Sequence, residues 1–463
     1  MRRIFLLCIL FSLASITVPA FALSGDAKSE FDEFIRNIRE EKRVDQIGYL
    51  ILAKLPPSRL SEDQILRTAG KFYYSSQEGY LTHVNFVRLE RFRQAKIQYS
   101  ILDKKRLDDT SESWKLVWVE TPAQEAALRD MFEPLYSHKN SFVIRIRPED
   151  EEKLIGLELR YSTLDETLVR QRVPAWPSPL KAAKFDPAIA DQLVSITASD
   201  MTATVETLQN FKSRQVSQPG NAEAVKWLAE QFNAIGGLEV TTPEFTYSSK
   251  KLMNVVAVQK GTVDPNTVIV VCGHMDSTVS SYNYTTAPGA DDNGSGAAGV
   301  LHVARVAGRL PLPYTVIYAE MNAEEVGLVG SKAVAKALAA QTGVQIKAVL
   351  NMDMIADRDD NEVAVIGNTR SNWLIDVFKD TALTYTGLKS KTLYDSNIWY
   401  SDHSSFWNIG ASAILTIEGY PEMSKYYHKT TDIVANLEPT LMEKIARSQL
   451  AVLLTLNRAT NFN

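Results

Sequence analysis

Imidazole and carboxylate side chains recur at five places in the second half of this chain. His274 and Asp276 close the segment TVIVVCGHMD, and Asp291 and Asp292 sit together in PGADDNGSG. Glu324 and Glu325 follow YTVIYAEMN, Asp353 lies in IKAVLNMDMI, and His428 stands in YYHKTTD. Histidine with Asp and Glu, and no thiolate among them, is the donor set of a catalytic zinc site rather than a structural one. Two histidines with three or four carboxylates exceed what one zinc needs. A carboxylate shared by two cations about 3.5–4 Å apart uses that surplus, and such pairs serve hydrolysis. Neighbouring aspartates repel unless a cation sits beside them, and the glycines around them let the backbone approach it. Asp291 can bridge two such cations. Successive residues leaving a strand point in different directions, so one of Glu324 and Glu325 binds metal while the other faces substrate and moves a proton.

These residues need a frame that brings them together. TVIVVCGHMD, YTVIYAEMN, IKAVLNMDMI, VAVIG and SAILTIEG read as buried strands. Between and after them, GAAGVLHVARVAGRL, SKAVAKALAAQ, NWLIDVFKDTAL and LMEKIARSQLAVLLTLN read as helices. Strands alternating with helices predict an α/β fold, a mixed, mostly parallel sheet with helices on both faces. Sites on such sheets lie beyond the carboxyl ends of the strands, where these polar residues fall.

Before this region the pattern changes. Helical periodicity at residues 29–43, 60–74 and 121–136 is mixed with alternating runs HVNFVRLERF, AKIQYSIL, WKLVWVE, SFVIRIR and IGLELRYS. That predicts a smaller α+β domain over residues 23–172, either a pro-segment or a permanent part of the enzyme. Residues 173–190, with four prolines, read as a linker to a catalytic region at 191–463. His83 and His138 have no ligand-type companions and read as structural, as does His302 inside a helix. In SDHSSF, His403 and its neighbour Asp402 read either as support for a ligand from behind or as structural.

Composition narrows the class. A net charge of -5 gives no basic field for nucleic acid. Arg2 and Arg3, the apolar run IFLLCILFSLASITV and Ala20-Phe21-Ala22 read as a signal peptide over residues 1–22. Export to the periplasm or the medium follows, with no stable membrane insertion after cleavage. Of two cysteines, Cys8 leaves with the signal and Cys272 remains alone, so no internal disulfide is expected.

In combination, GHMDS, PGADDNGSG, NAEEVGLVGS, LNMDM, SDHSSF and YYHKTTD resemble the secreted co-catalytic dizinc aminopeptidases, the bacterial leucyl aminopeptidase type. The resemblance covers roughly residues 195–463. It implies two Zn2+, with His274 and Asp353 on one, Glu325 and His428 on the other, and Asp291 bridging. It also implies Glu324 as general base and Asp276 orienting His274. The implied reaction is hydrolysis of the N-terminal residue of peptides or proteins by a two-metal-activated hydroxide. Some members place a tyrosine before SDH to steady the oxyanion; here Ile398 falls at that offset, with Tyr400 as the alternative donor. A single-zinc glutaminyl cyclase on the same fold and a non-catalytic peptidase-like binding domain are the competing readings.

Overall fold

The computed structural model describes residues 47–54, 74–76, 79–95, 97–106, 111–119, 121–138, 140–157, 159–164, 185–247, 250–280, 284–357, 360–394, 398, 400–420 and 424–458. The expected signal peptide lies outside them, as do nearly all of the expected helices at 29–43 and 60–74.

The N-terminal region is built from two antiparallel sheets. Strands β1 (Ile47–Lys54), β2 (Tyr74–Ser76), β3 (Gly79–Asn85) and β4 (Tyr99–Arg106) form the first, in the order β2-β3-β1-β4. Strands β5 (Ser113–Trp118), β6 (Tyr136–His138), β7 (Ser141–Ile146) and β8 (Arg160–Thr163) form the second, in the order β6-β7-β5-β8. Side chains alternate along β5: Trp114, Leu116 and Trp118 pack toward Leu50 and Leu81 of the first sheet, while Val117 faces the other way. The first sheet carries the helix Phe86–Gln94 on its outer face.

That helix corrects the reading of HVNFVRLERF as a single strand. Only its first residues belong to β3. Leu89 and Phe92, three apart and both buried, give the remainder a helical face against Ile51 and Val84. IGLELRYS is likewise divided: the helix Glu151–Gly156 takes its start, and β8 takes its end. Of the expected linker 173–190, residues 173–184 lie outside the described residues and residues 187–190 open a helix. Asp186 caps the helix Pro187–Leu193 by accepting from the Ala188 amide, and Pro187 fits the first helical turn because its missing N–H has no partner there anyway.

The larger region holds β9 (Glu239–Thr241), β10 (Glu244–Tyr247), β11 (Lys250–Met253), β12 (Val255–Gln259), β13 (Asp264–His274) and β14 (Tyr314–Met321). It continues with β15 (Gln345–Met352), β16 (Glu362–Gly367), β17 (Lys389–Tyr394) and β18 (Ala413–Ile417). Eight of these form one sheet in the order β17-β16-β18-β15-β13-β14-β12-β9, and among the described residues β10 pairs only with β11. The central strands β14, β13, β15 and β18 run parallel, and β12, β9 and the β16–β18 pairing are antiparallel. The sheet is therefore mixed, as expected.

Both faces are covered. Ile269 and Val271 of β13 join the helices Ala198–Asn210, Gly296–Ala307 and Pro439–Arg458 on one side. Val268, Val270 and Cys272 meet the helices Val329–Ala340 and His403–Asn408 on the other. Burial on both sides is why the strand sequences are continuously apolar. Cys272 is a buried free thiol. No helix among the described residues is long and apolar enough to cross a membrane.

Lys347 departs from that apolar rule. It is fully buried on β15, donates to the Leu456 carbonyl at 2.7 Å and lies 4.2 Å from the Tyr314 ring centre. Burial pulls its pKa down to about 6, with Asp264 opposing. A folded pKa below the unfolded value means that folding releases a proton at neutral pH, so stability from this group grows as pH rises from about 6 toward 10. Lys347→Met should therefore be favoured most near pH 6. Its stability relative to the parent should decline with pH by up to about 1 kcal/mol per unit. Urea unfolding at several pH values checks this, and a pH-independent difference would show that the ammonium stays charged.

Candidate active site

The carboxyl ends of β13, β14 and β15 lie side by side, and each delivers its polar residues to one place. His274 ends β13; its Nδ1 lies 3.1 Å from the Asp276 carbonyl and 3.5 Å from the Asp276 carboxylate. A carbonyl only accepts, so the Nδ1 hydrogen points there and Nε2 faces the carboxylates. His274 Nε2 is 3.3 Å from Asp292 Oδ1 and 3.4 Å from Asp353 Oδ1. His428 Nε2 is 3.2 Å from Asp292 Oδ2 and 3.2 Å from Glu325 Oε2. All of these side chains are buried. Two overlapping groups, His274 with Asp292 and Glu325, and His274 with Glu324 and Asp353, have their potential ligand atoms within 4.8 Å of one another.

The structure thus brings together His274, Glu324, Glu325, Asp353 and His428, and corrects one expectation. Asp292, not Asp291, stands between the two imidazoles. The Asp291 carboxylate accepts from the Ala356 amide at 2.9 Å and from Ser295 Oγ at 3.2 Å, which ties it to the segment after β15. Asp432 accounts for the exchange: its two carboxylate oxygens accept from the amides of Asp291 and Asp292 at 2.8 and 3.0 Å. With both amides held, the neighbouring side chains leave in different directions, and Asp292 takes the site. The Asp292–Asn293 peptide is cis.

Asp276 acts on the other acidic pair in the same way, accepting from the amides of Glu324 and Glu325 at 3.1 and 3.2 Å. Its expected role behind His274 is carried mainly by its carbonyl. Asp402 is fully buried, and burial pushes its carboxyl up to about 7 against the pull of His274, while His403 binds the Ile398 carbonyl at 2.9 Å and packs edge-on to Trp407. Tyr400 is 36% exposed and meets Trp118 of the second N-terminal sheet edge-on. Tyr427 stacks on His428 at 3.8 Å between ring centres.

Charge follows this geometry. Burial disfavours a charged His274, yet Asp353 and Glu324 hold its pKa well above the usual value. Burial likewise opposes ionisation of Asp292, but hydrogen bonds to His274 and His428 hold its pKa below the ordinary carboxylate value. Asp291 goes the opposite way: burial, then Glu418 and Asp432, push it well up, toward the neutral acid.

Sequence reasoning missed Arg214 and Asp432. Asp432 closes the YYHKTTD stretch, so its nearness to His428 was a usable signal. Arg214 offered none. It is fully buried and donates to the carbonyls of Leu208, Met275, Pro288 and Gly289, lacing the segment after His274 to the loop before Asp291. Burial lowers its pKa to about 10, while Asp432 and Asp276 pull the other way, so it is a permanent cation behind the acids.

Strained backbone marks the same region. Ala323, Met354 and His428 have φ of 59°, 53° and 53°, left-handed values unfavourable for residues with a side chain. They precede Glu324, follow Asp353 and carry the second imidazole. Such strain persists where surrounding contacts impose it, and it concentrates at functional sites.

Fold and site define a metal-dependent hydrolase scaffold, and comparison with known proteins agrees. Residues 254–453 match the family described as Peptidase family M28. Leucine aminopeptidase 1 of Fusarium vanettenii is 30% identical over 276 residues, which cover 55% of this chain and 68% of that protein. A probable zinc metalloprotease of Pyricularia oryzae is 32% identical over 207 residues, 39% of this chain and only 41% of that protein's length. The crystal structure of the LapA aminopeptidase of Legionella pneumophila superposes with a TM-score of 0.62 at 19% identity, over 76% of this chain and 99% of that one. That span exceeds residues 191–463, so the shared fold reaches into the N-terminal region. The chain belongs to peptidase family M28 and carries the metallo-aminopeptidase fold of that family.

The exchange of Asp291 for Asp292 yields a direct test. Asp292→Ala should abolish tight zinc binding, whereas Asp291→Asn, which mimics a neutral acid, should keep most of it. Zinc content after gel filtration reads both, and the reverse pattern would restore Asp291 as the bridge.

Proposed function

We propose that this chain is an exported zinc aminopeptidase that uses two Zn2+ to hydrolyse the peptide bond after the first residue of a peptide or protein. One observation carries the reading: the two oxygens of Asp292 face one imidazole each, at 3.3 Å from His274 and 3.2 Å from His428. A carboxylate divided in this way suits two adjacent cations. His274 and Asp353 would hold one, Glu325 and His428 the other, and Asp292 both. The donor set fits zinc, with nitrogen and oxygen ligands and no sulfur.

Bound zinc would supply Lewis-acid polarisation of the scissile carbonyl and make water acidic enough to react at neutral pH. The chain's own residues supply the remainder. Glu324 takes the proton from the attacking water and delivers it to the leaving amine. Asp276 holds the Glu324 and Glu325 amides, so the base and its ligand neighbour keep a fixed separation. Arg214 and Asp432 do the same for the loop carrying Asp292. The concentration of carboxylates also attracts the free α-ammonium of a peptide, which favours cleavage at the N-terminus over cleavage within a chain.

Zinc titration of chelator-treated protein should give a stoichiometry of two and restore hydrolysis of aminoacyl-nitroanilides. Glu324→Gln should keep both ions and lose about 10²–10⁴-fold in kcat, the usual scale of proton-transfer catalysis. Undiminished turnover in that variant would remove Glu324 from its role. A single bound zinc with cyclisation of N-terminal glutamine would favour the cyclase reading instead.

A further inference from the structure

The outward face of the second N-terminal sheet does not end at a boundary. Val117, Phe142, Ile144 and Tyr161 pack in one core with Phe245, Tyr247 and Leu252 of the β10–β11 hairpin. The same core takes in Ala323, Val326 and Val329, which surround the Glu324–Glu325 turn. The Tyr161 and Tyr247 hydroxyls meet at 3.2 Å across this junction, in a buried hydrogen bond.

The hairpin depends on the contact. Among the described residues β10 and β11 pair with each other and with no other strand, and an isolated hairpin is at best marginally stable in water. Phe245, Tyr247 and Leu252 are 9%, 7% and 8% exposed, packed in the core that the second N-terminal sheet helps to build. A junction this apolar differs from the more polar interfaces across which domains move or separate.

The catalytic turn depends on it as well. The amides of Gly327 and Leu328 both donate to the Glu324 carbonyl, at 2.8 and 2.9 Å, so residues 324–328 close tightly on themselves. Asp276 grips this turn from the side of β13 through the Glu324 and Glu325 amides. On the other side its apolar residues, Val326 and Val329, are seated in the shared core.

We propose that the second N-terminal sheet is a permanent wall of the working enzyme and positions the Glu324–Glu325 turn, rather than a pro-segment discarded before activity. The positioning role rests on the assignment of Glu324 as base and Glu325 as ligand. The core residues act through the turn and are positioning residues.

Hydrogen exchange at single amides, read in the full chain, tests this. Val329→Asp places a charge in the junction, and Tyr161→Phe removes the hydroxyl that bonds Tyr247 across the junction and Glu151 beside it. Exchange at Glu324 and Glu325 should quicken by at least about tenfold in the first and more modestly in the second, as local opening becomes easier. The Asp291 and Asp292 amides, held by Asp432, should not change. Under the same substitutions kcat should fall at nearly constant KM, and the intact mass of the active fraction from the wild-type protein should include residues 113–163. Unchanged exchange at Glu324 and Glu325 in both variants overturns the proposal, as does a fully active species lacking that sheet. If exchange responds as stated but the wild-type protein hydrolyses no peptide, the positioning wall stands and the aminopeptidase reading alone fails.

Discussion

Two carboxylates that receive pairs of backbone amides hold this site together. Asp276 accepts from Glu324 and Glu325, and Asp432 accepts from Asp291 and Asp292. A hydrogen bond contributes about 0.5–1.5 kcal/mol, so two on one carboxyl group are enough to hold a turn; burial pushes the Asp432 carboxyl up to about 7, with the two amides opposing. Each clamp fixes the backbone of two adjacent acids: at Asp291–Asp292 one side chain enters the centre, and at Glu324–Glu325 both do. Without the clamps, the repulsion within each acidic pair would be relieved by rotation toward solvent.

The sheet makes this arrangement accessible. Because β13, β14 and β15 are parallel neighbours, their last residues lie in one row, and a turn beyond each strand has only a short distance to cover. Arg214 ties the segment after β13 to the loop before Asp291 and to the helix Ala198–Asn210 through four carbonyls, placing a fixed positive charge behind the acids. Left-handed residues at Ala323, Met354 and His428 show where the chain was bent to complete the centre. The second N-terminal sheet packs beside the turn after β14, in the core it shares with Ala323, Val326 and Val329.

Much of this was legible in the residues themselves. Strands buried on both faces announce themselves as continuous apolar runs, so the polar residues that end them could be found by inspection. Asp291 and Asp292 could not be told apart in that way. Which of them turns inward is decided by Asp432, some 140 residues later, and by the Ala356 amide that captures the other. Arg214 was invisible for a similar reason, since its partners are main-chain carbonyls that no motif encodes. The N-terminal region was harder to read because its segments are short and half-buried. In HVNFVRLERF alternation and helical spacing coexist, and packing of Leu89 and Phe92 against the first sheet selects the helix.

The central claim is that one carboxylate, that of Asp292, is shared between two cations. Anomalous diffraction at the zinc absorption edge from crystals of the zinc-loaded protein addresses it directly. The account predicts two peaks about 3.5–4 Å apart, with one oxygen of Asp292 on each. A single peak, or two peaks joined through Asp291, would contradict it.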